Sequence, residues 1–112
     1  MTRFPDTAHG PISADDMALW CDLLADDNQI HLSRDAAAAA GFGPNRVNPG
    51  PANLAYLISA MMAADPDGDV SRIDAQFLGN VVEGDTVIAR DEGDHAALYR
   101  AGDDLPVVKV RR

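Results

Sequence analysis

The segment NPGPANLAYLISAMMAA, residues 48–64, decides the fold of this chain. Pro51 fits the first turn of a helix, where the missing N–H of proline costs nothing. From residue 52 to residue 64 the side chains are apolar almost all round, which is typical of a helix that is buried on every side. The sequence therefore predicts a long, buried helix that begins at residues 48–51.

The residues after this helix have the pattern of strands. Apolar side chains alternate with polar ones or cluster in four segments that are separated by Gly and Asp turns, namely residues 70–82, 86–90, 95–100 and 106–110. Successive strands with short turns predict an antiparallel meander. The apolar face of such a sheet needs a cover, and the long helix is the only segment able to supply it. We therefore expect an α+β hot-dog fold, a curved antiparallel sheet wrapped around a central helix, formed by residues 1–112 as one domain.

Two shorter helices are predicted before the long one. Ser13 can cap the first, which extends to about Ala25 with apolar residues at helical spacing. Ser33 can cap the second, and Gly41 is placed to end it in a left-handed conformation. Residues 7–11 are either a short first strand or an irregular lead-in.

A polar loop, DDNQIH at residues 26–31, lies between the two shorter helices. It contains Asp26, Asn28 and His31, and a carboxylate with an imidazole is the usual pair for moving protons near neutral pH. By spacing alone, a cap and turn beside a surface histidine is the commoner interpretation of such a run. The loop is a candidate active site once further residues support it.

Composition excludes several classes of function. The 112 residues carry 9 Lys and Arg against 18 Asp and Glu, for a formal net charge of −9, which argues against a nucleic-acid partner. The only cysteine, Cys21, cannot form an intrachain disulfide. The N-terminus lacks a signal-peptide pattern, and the apolar run 54–64 is too short to span a membrane. We expect a cytoplasmic protein with no membrane association, no metal site and no cofactor.

The polar loop resembles the signature of the MaoC-like dehydratases, the (R)-specific enoyl-CoA hydratases of the hot-dog superfamily. In that signature Asp, any residue, Asn, Pro, an aliphatic residue and His follow one another, and a small residue comes later. The positions that agree are Asp26, Asn28, Ile30, His31, Ala37, Gly41-Phe42-Gly43, Gly50, Phe77-Leu78 and Glu83-Gly84-Asp85-Thr86-Val87. The resemblance covers residues 13–90. The departures are Gln29 for the proline, Pro49 for the histidine before the glycine, and Ile58 for a serine of the central helix, with Ser59 one place on.

This resemblance implies hydration of a trans-2-enoyl thioester to an (R)-3-hydroxyacyl thioester, or the reverse dehydration. Asp26 is then the base toward water, and His31 exchanges the proton at Cα. The Gly50 N–H, at the positive end of the central helix, is the candidate donor to the thioester oxygen. Asn28 is expected to support its own loop.

The resemblance also suggests where an acyl-CoA or acyl-carrier-protein thioester would bind. The candidate residues along the acyl chain are Leu54, Tyr56, Leu57 and Met61, for each of which a plain core position is an equal alternative. Arg46 and Arg72 are candidates for binding a phosphate of the CoA or carrier arm.

Three possibilities concern assembly and activity. A short hot-dog leaves a sheet edge uncovered, and joining two sheets would bury it, which predicts a homodimer. A heteromer with another hot-dog subunit is the alternative, in which this chain binds acyl thioesters without turning them over. Another hot-dog enzyme, such as a thioesterase or a biosynthetic tailoring dehydratase, is the third possibility.

Overall fold

A computed structural model describes residues 3–68 and 71–111 of the chain. Its elements, in chain order, are β1 (Thr7–His9), α1 (Ala14–Leu24), a 3-10 turn (Gln29–His31), α2 (Arg34–Ala39), α3 (Gly50–Ala64), β2 (Asp74–Phe77), β3 (Val87–Asp91), β4 (Ala96–Arg100) and β5 (Pro106–Arg111). The helices and the later strands therefore lie where the sequence predicts them. Residues 7–9 form a strand.

The strands form one antiparallel sheet in the order β1-β3-β4-β5-β2. Strands β3, β4 and β5 are the predicted meander, with Ala89 opposite Leu98 and Leu98 opposite Val108. The prediction that β2 continues this meander is wrong, because β2 pairs with β5 at the far edge, with Ala75 opposite Val110.

Strand β2 is also shorter than the predicted strand 70–82, because residues 81 and 82 pair with another segment of the chain. The predicted start at Val70 lies outside the described residues. At the other end, Val82 forms a bridge with Val47, and the N–H of Asn48 donates to the Val81 carbonyl at 2.7 Å. Since these residues bond to the segment before α3, they cannot form a hairpin with β3.

Helix α3 packs one face against the sheet. Its buried residues are Ala52, Asn53, Leu57, Ala60 and Met61. They join a core whose other large members include Ile12, Met17, Val81, Val87, Leu98, Val107, Val108 and Val110. The opposite side of α3 is open, and Met62 is 49% exposed. The prediction that α3 is buried on every side is therefore wrong for the single chain. Among the described residues, no helix is long and apolar enough to cross a membrane.

The predicted helix ends are confirmed by their hydrogen bonds. The Ser13 hydroxyl accepts from the Asp16 N–H at 3.1 Å, and the Ser33 hydroxyl accepts from the Ala36 N–H at 3.2 Å. Gly41 has φ +88°, the left-handed conformation expected after α2. These local bonds place the polar loop between α1 and α2.

Candidate active site

The polar loop is held by a chain of short-range hydrogen bonds. After α1, Ala25 adopts φ +52°, and the N–H of Asp26 donates back to the Cys21 carbonyl at 2.9 Å. The Asp26 Oδ1 accepts from the Asn28 N–H at 3.0 Å, and the Asn28 Oδ1 accepts from the Ile30 N–H at 3.3 Å. Each polar side chain thus caps the next turn of the loop, which leaves Asp26 Oδ2 free of this chain of bonds.

The two candidate proton-transfer groups face each other. His31 Nε2 lies 3.2 Å from Asp26 Oδ2. The imidazole is 9% exposed and the carboxylate 34%, so solvent reaches the pair from the Asp26 side. A neutral imidazole and a carboxylate would each present a lone pair here. The pair is therefore suited to share one proton, because the two atoms lie at hydrogen-bond distance.

The second ring nitrogen of His31 is bound to the backbone. Its Nδ1 lies 2.7 Å from the Val47 carbonyl oxygen. A carbonyl can only accept, so Nδ1 carries a hydrogen, and the nitrogen that changes protonation is Nε2. The N–H of Val47 in turn donates to the Ile30 carbonyl at 2.9 Å. The backbone N–H and the backbone carbonyl of Val47 thus both bind the polar loop.

A concavity of about 770 Å³ lies against Asp26 and does not include His31 among its lining residues. Its wall contains Asp15, Asp22, Asp26 and Asp27 together with the apolar Ala18, Leu19 and Leu32. Cys21 lines the same wall, and burial, followed by the charges of Asp26 and Asp22, raises the pKa of its thiol. The thiol is therefore kept protonated near neutral pH and is a poor nucleophile.

Gly50 is the first residue of α3, three residues after Val47. A chain of three residues spans at most about 11 Å, which limits the distance between Gly50 and Val47, the residue whose carbonyl binds His31. Within residues 3–68 and 71–111, the Gly50 N–H has no hydrogen-bond acceptor. A Cβ at this position would lie 3.5 and 3.6 Å from two ring atoms of Phe77, so this aromatic side chain covers the start of α3.

The four candidate acyl-chain residues are separated by the fold. Leu57 and Met61 lie in the core, and Leu54 and Tyr56 pack partly buried against it. Tyr56 also lines a second cavity of about 550 Å³ between α3 and β1, where its ring stacks on His9 at a centroid distance of 4.2 Å. An acyl-binding role for the four residues stays a prediction.

The two candidate phosphate-binding arginines differ in environment. Arg72 is 82% exposed and lies 3.5 Å from Asp74. Arg46 is engaged within the fold, because its Nη1 donates to Glu83 at 3.1 Å and its Nε donates to the Leu32 carbonyl at 3.2 Å. A role in phosphate binding stays a prediction for both.

Three contacts of the site were not found from the sequence. The Val47 carbonyl is a backbone group, so residue type gives no signal for it. The sequence identifies Phe77 only as part of the family motif, since its position over Gly50 depends on the pairing of β2. It likewise identifies Glu83 only as a motif residue, although glutamate is rare in this chain.

Comparisons with known proteins agree with this architecture. The family model described as "MaoC like domain" matches residues 2–103. Three solved structures have a similar fold. The (R)-hydratase from A. caviae involved in PHA biosynthesis is 19% identical, with TM-score 0.74 and coverage of 99% of this chain and 96% of that chain. The R-hydratase PhaJ1 from Pseudomonas aeruginosa is 17% identical, with TM-score 0.81 and coverage of 98% and 77%. The HadBC (3R-hydroxyacyl-ACP dehydratase) complex from Mycobacterium tuberculosis is 14% identical, with TM-score 0.71 and coverage of 98% and 94%.

No curated protein sequence matches the chain. At these identities the solved structures establish the fold, and the predicted hot-dog arrangement is confirmed. The family model covers most of the chain and includes the whole polar loop and α3. The chain therefore belongs to the family of MaoC-like domains.

Proposed function

We propose that this chain is a hydratase or dehydratase of acyl thioesters that uses Asp26 and His31 as a general acid–base pair. The observation that carries the proposal is the approach of His31 Nε2 to Asp26 Oδ2 at 3.2 Å, with Nδ1 bound to the Val47 carbonyl. Membership of the MaoC-like family supports the reaction class, as do two structural neighbours that are (R)-hydratases.

In the hydration direction the pair begins as a carboxylate and an imidazolium. The Asp26 carboxylate takes a proton from water as the water oxygen bonds to Cβ of the enoyl group. His31 Nε2 gives its proton to Cα, and the carbon–carbon double bond becomes a single bond. Transfer of one proton from Asp26 back to Nε2 restores the pair, so that one water is consumed and no proton is lost. General acid–base steps of this kind contribute about a hundred- to ten-thousandfold in rate.

Negative charge develops on the thioester oxygen as Cβ is attacked. The Gly50 N–H at the start of α3 is the proposed donor to this oxygen, because the first amides of a helix are free and lie at the positive end of its dipole. Phe77 beside Gly50 would limit access of water to that donor.

The charge around Asp26 constrains how the thioester would lie. The concavity beside the carboxylate has three further aspartates, which repel a phosphate-bearing group. We place the water on this side of the pair and the CoA or carrier arm on the other, with its acyl chain along α3.

We also propose that the chain acts as a homodimer. Strand β2 is an edge strand. Phe77 at its end and Leu78 directly after it are exposed, as is Met62 on the open side of α3. Exposed apolar residues next to an unpaired strand edge favour pairing with a second sheet.

A second candidate is a subunit of a heteromer that binds thioesters without reacting. One structural neighbour is described as a complex of a dehydratase, which favours this possibility, and Gln29 in place of the usual proline removes a stiffening residue beside His31. The test of activity below separates the two candidates.

The experiment follows hydration of crotonyl-CoA, and of a longer enoyl-CoA, by loss of the enoyl thioester absorbance. We expect activity in the wild type, a loss of about a hundred- to ten-thousandfold in kcat for Asp26→Asn and His31→Ala, and little change for Asp27→Asn. Asp27 is the matched control, since it is an exposed neighbouring carboxylate of the same loop. Absence of activity on every chain length would refute the hydratase proposal for the homomer, as would equal activity in Asp26→Asn.

A further inference from the structure

Glu83 is the centre of a charged cluster outside the proton-transfer pair. Its side chain is 10% exposed and accepts from Arg34 Nε at 2.7 Å and Arg34 Nη2 at 3.2 Å. It also accepts from Arg46 Nη1 and from the Arg46 backbone N–H, both at 3.1 Å. These bonds, of which those from Arg34 contribute most, lower the pKa of Glu83 to about 2, so it is ionised throughout the neutral range.

The same cluster is bonded to the loop that carries His31. The Glu83 N–H donates to the Arg46 carbonyl at 2.9 Å, so the Arg46 backbone is bound to Glu83 on both sides. Arg46 Nε donates to the Leu32 carbonyl. The next residue, Val47, donates to Ile30 and accepts from His31. Residues 30, 31 and 32 are therefore each bonded to residues 46–47.

Among the residues that the structure describes, Glu83 is the only carboxylate that binds Arg34 and Arg46. A carboxylate can accept all four bonds, because it has two oxygens with about four lone-pair positions. A glutamine has one acceptor oxygen, and its amide N–H groups would face the arginine donors. Loss of the charge therefore weakens the two bonds from Arg46 to the carboxylate. The Arg46 backbone is then held to residue 83 only by the N–H of that residue, so the Val47 carbonyl that follows is less firmly placed.

We propose that Glu83 is a positioning residue, which fixes the Nδ1–H form and the orientation of His31 through Arg46 and the Val47 carbonyl. Its effect on rate rests on the proposed function, whereas its effect on the imidazole does not. Glu83 lies 52 residues from His31 in the sequence, and it acts without touching the ring.

The test measures the His31 ring directly by nitrogen-15 NMR at pH 7, with the signals assigned by their loss in His31→Ala. The wild type is expected to show Nδ1 protonated and slowly exchanging. In Glu83→Gln this proton should exchange at least about tenfold faster, and the two nitrogen shifts should differ from those of the wild type. Glu92→Gln is the matched control, because Glu92 is an exposed glutamate bonded to Tyr99, and its spectrum should equal the wild type.

Arg34→Ala provides a milder variant should Glu83→Gln fail to fold. Arg34 is 61% exposed and binds Glu83 from the outside, so its loss leaves the Arg46 contacts in place. We expect a smaller change of the His31 signals in the same direction. Wild-type signals in Glu83→Gln, or in Arg34→Ala where only that variant folds, would overturn the proposal.

Kinetics on crotonyl-CoA separate the two proposals. Glu83→Gln should lower kcat about ten- to a hundredfold with little change in KM, because a displaced His31 harms the chemical step more than binding. An inactive wild type with altered His31 signals in Glu83→Gln would refute the hydratase proposal and support the positioning role. Unchanged signals would overturn the positioning role even in an active enzyme.

Discussion

The carbonyl of Val47 accepts from Nδ1 of His31 at 2.7 Å, and this bond joins the polar loop to the segment that enters the central helix. It decides that Nε2, not Nδ1, faces Asp26. Val47, whose carbonyl orients the imidazole, is three positions before Gly50. The proton-transfer pair is therefore linked to the start of α3 by one hydrogen bond and a short backbone segment.

Replacing Gly50 by proline is expected to remove the proposed oxyanion donor while keeping the helix. Proline is tolerated at the first helical position, and Pro49 has φ −58° and ψ 136°, a conformation that permits a following proline. We predict a loss of about a hundred- to a thousandfold in kcat on crotonyl-CoA.

The matched control for this prediction is Gly50→Ala, which retains the N–H. Its Cβ would make ordinary contact with Phe77 at 3.5 Å, so the fold accommodates it. Equal rates for the proline and alanine variants, with both folded by circular dichroism, would show that the Gly50 N–H is not a donor in the reaction.

Asn28→Ala should destabilise the polar loop, because the Ile30 N–H loses its acceptor. We expect a decrease of about 1 kcal/mol in the free energy of unfolding, measured by urea titration. Asn28→Asp keeps an acceptor oxygen and should cost less. Ser13→Ala is the control, because it removes a comparable cap from α1 and should lower stability by a similar amount without changing the hydration rate. A rate loss in Asn28→Ala that is absent from Ser13→Ala would therefore show that the ordered polar loop is needed for the reaction.

Ala25→Gly is expected to stabilise the protein. Ala25 has φ +52°, a left-handed conformation that costs an L-residue about 1 kcal/mol and costs glycine far less. The midpoint of thermal unfolding should therefore rise. Ala38→Gly, at an exposed position inside α2, is the control and should lower the midpoint. A lower midpoint for Ala25→Gly would contradict the left-handed conformation.

The contribution of Glu83 to stability should disappear in acid. Its pKa is lowered from 4.5 to about 2 in the folded chain by its arginine partners, so its contribution is complete above the unfolded pKa and is lost as pH falls toward 2. At pH 7 the free energy of unfolding of the wild type should exceed that of Glu83→Gln by about 1 to 3 kcal/mol. The difference is limited to this range because Arg34 is largely solvent-exposed, which screens its attraction to Glu83.

Urea titrations at pH 7, 4 and 3 check this expectation. The difference between wild type and Glu83→Gln should shrink between pH 4.5 and 2. A constant difference over that range would mean that the ionised carboxylate of Glu83 does not carry the effect. Glu92→Gln is again the control.

Leu57→Ala tests whether Leu57 belongs to the core. The side chain is fully buried against the sheet, and its truncation should cost about 2 to 5 kcal/mol in unfolding free energy. Leu23→Ala makes the same change at a residue that is 76% exposed, and it should cost less than about 1 kcal/mol. Similar costs for the two variants would contradict the position of α3 in the core.

The helices could be predicted closely because their signals are local. The cap residues Ser13 and Ser33 and the start of α3 at Gly50 depend on neighbours within four positions, and each lies where the pattern indicates. The partner of β2 could not be predicted. Its alternation identifies a strand, but the choice of β5 over β3 depends on residues 81–83 bonding to the segment before α3.

The sequence by itself determined the central helix, the presence of Asp26, Asn28 and His31 in one loop, and membership of the MaoC-like family. Only the tertiary structure decided which nitrogen of His31 faces Asp26, where Phe77 lies relative to Gly50, and that Glu83 reaches the site through Arg46. The physical reason is the separation along the chain of the residues that interact. Caps and helical faces follow from residues a few positions apart, whereas a backbone carbonyl or an edge strand becomes part of a site only when distant segments of the chain pack together.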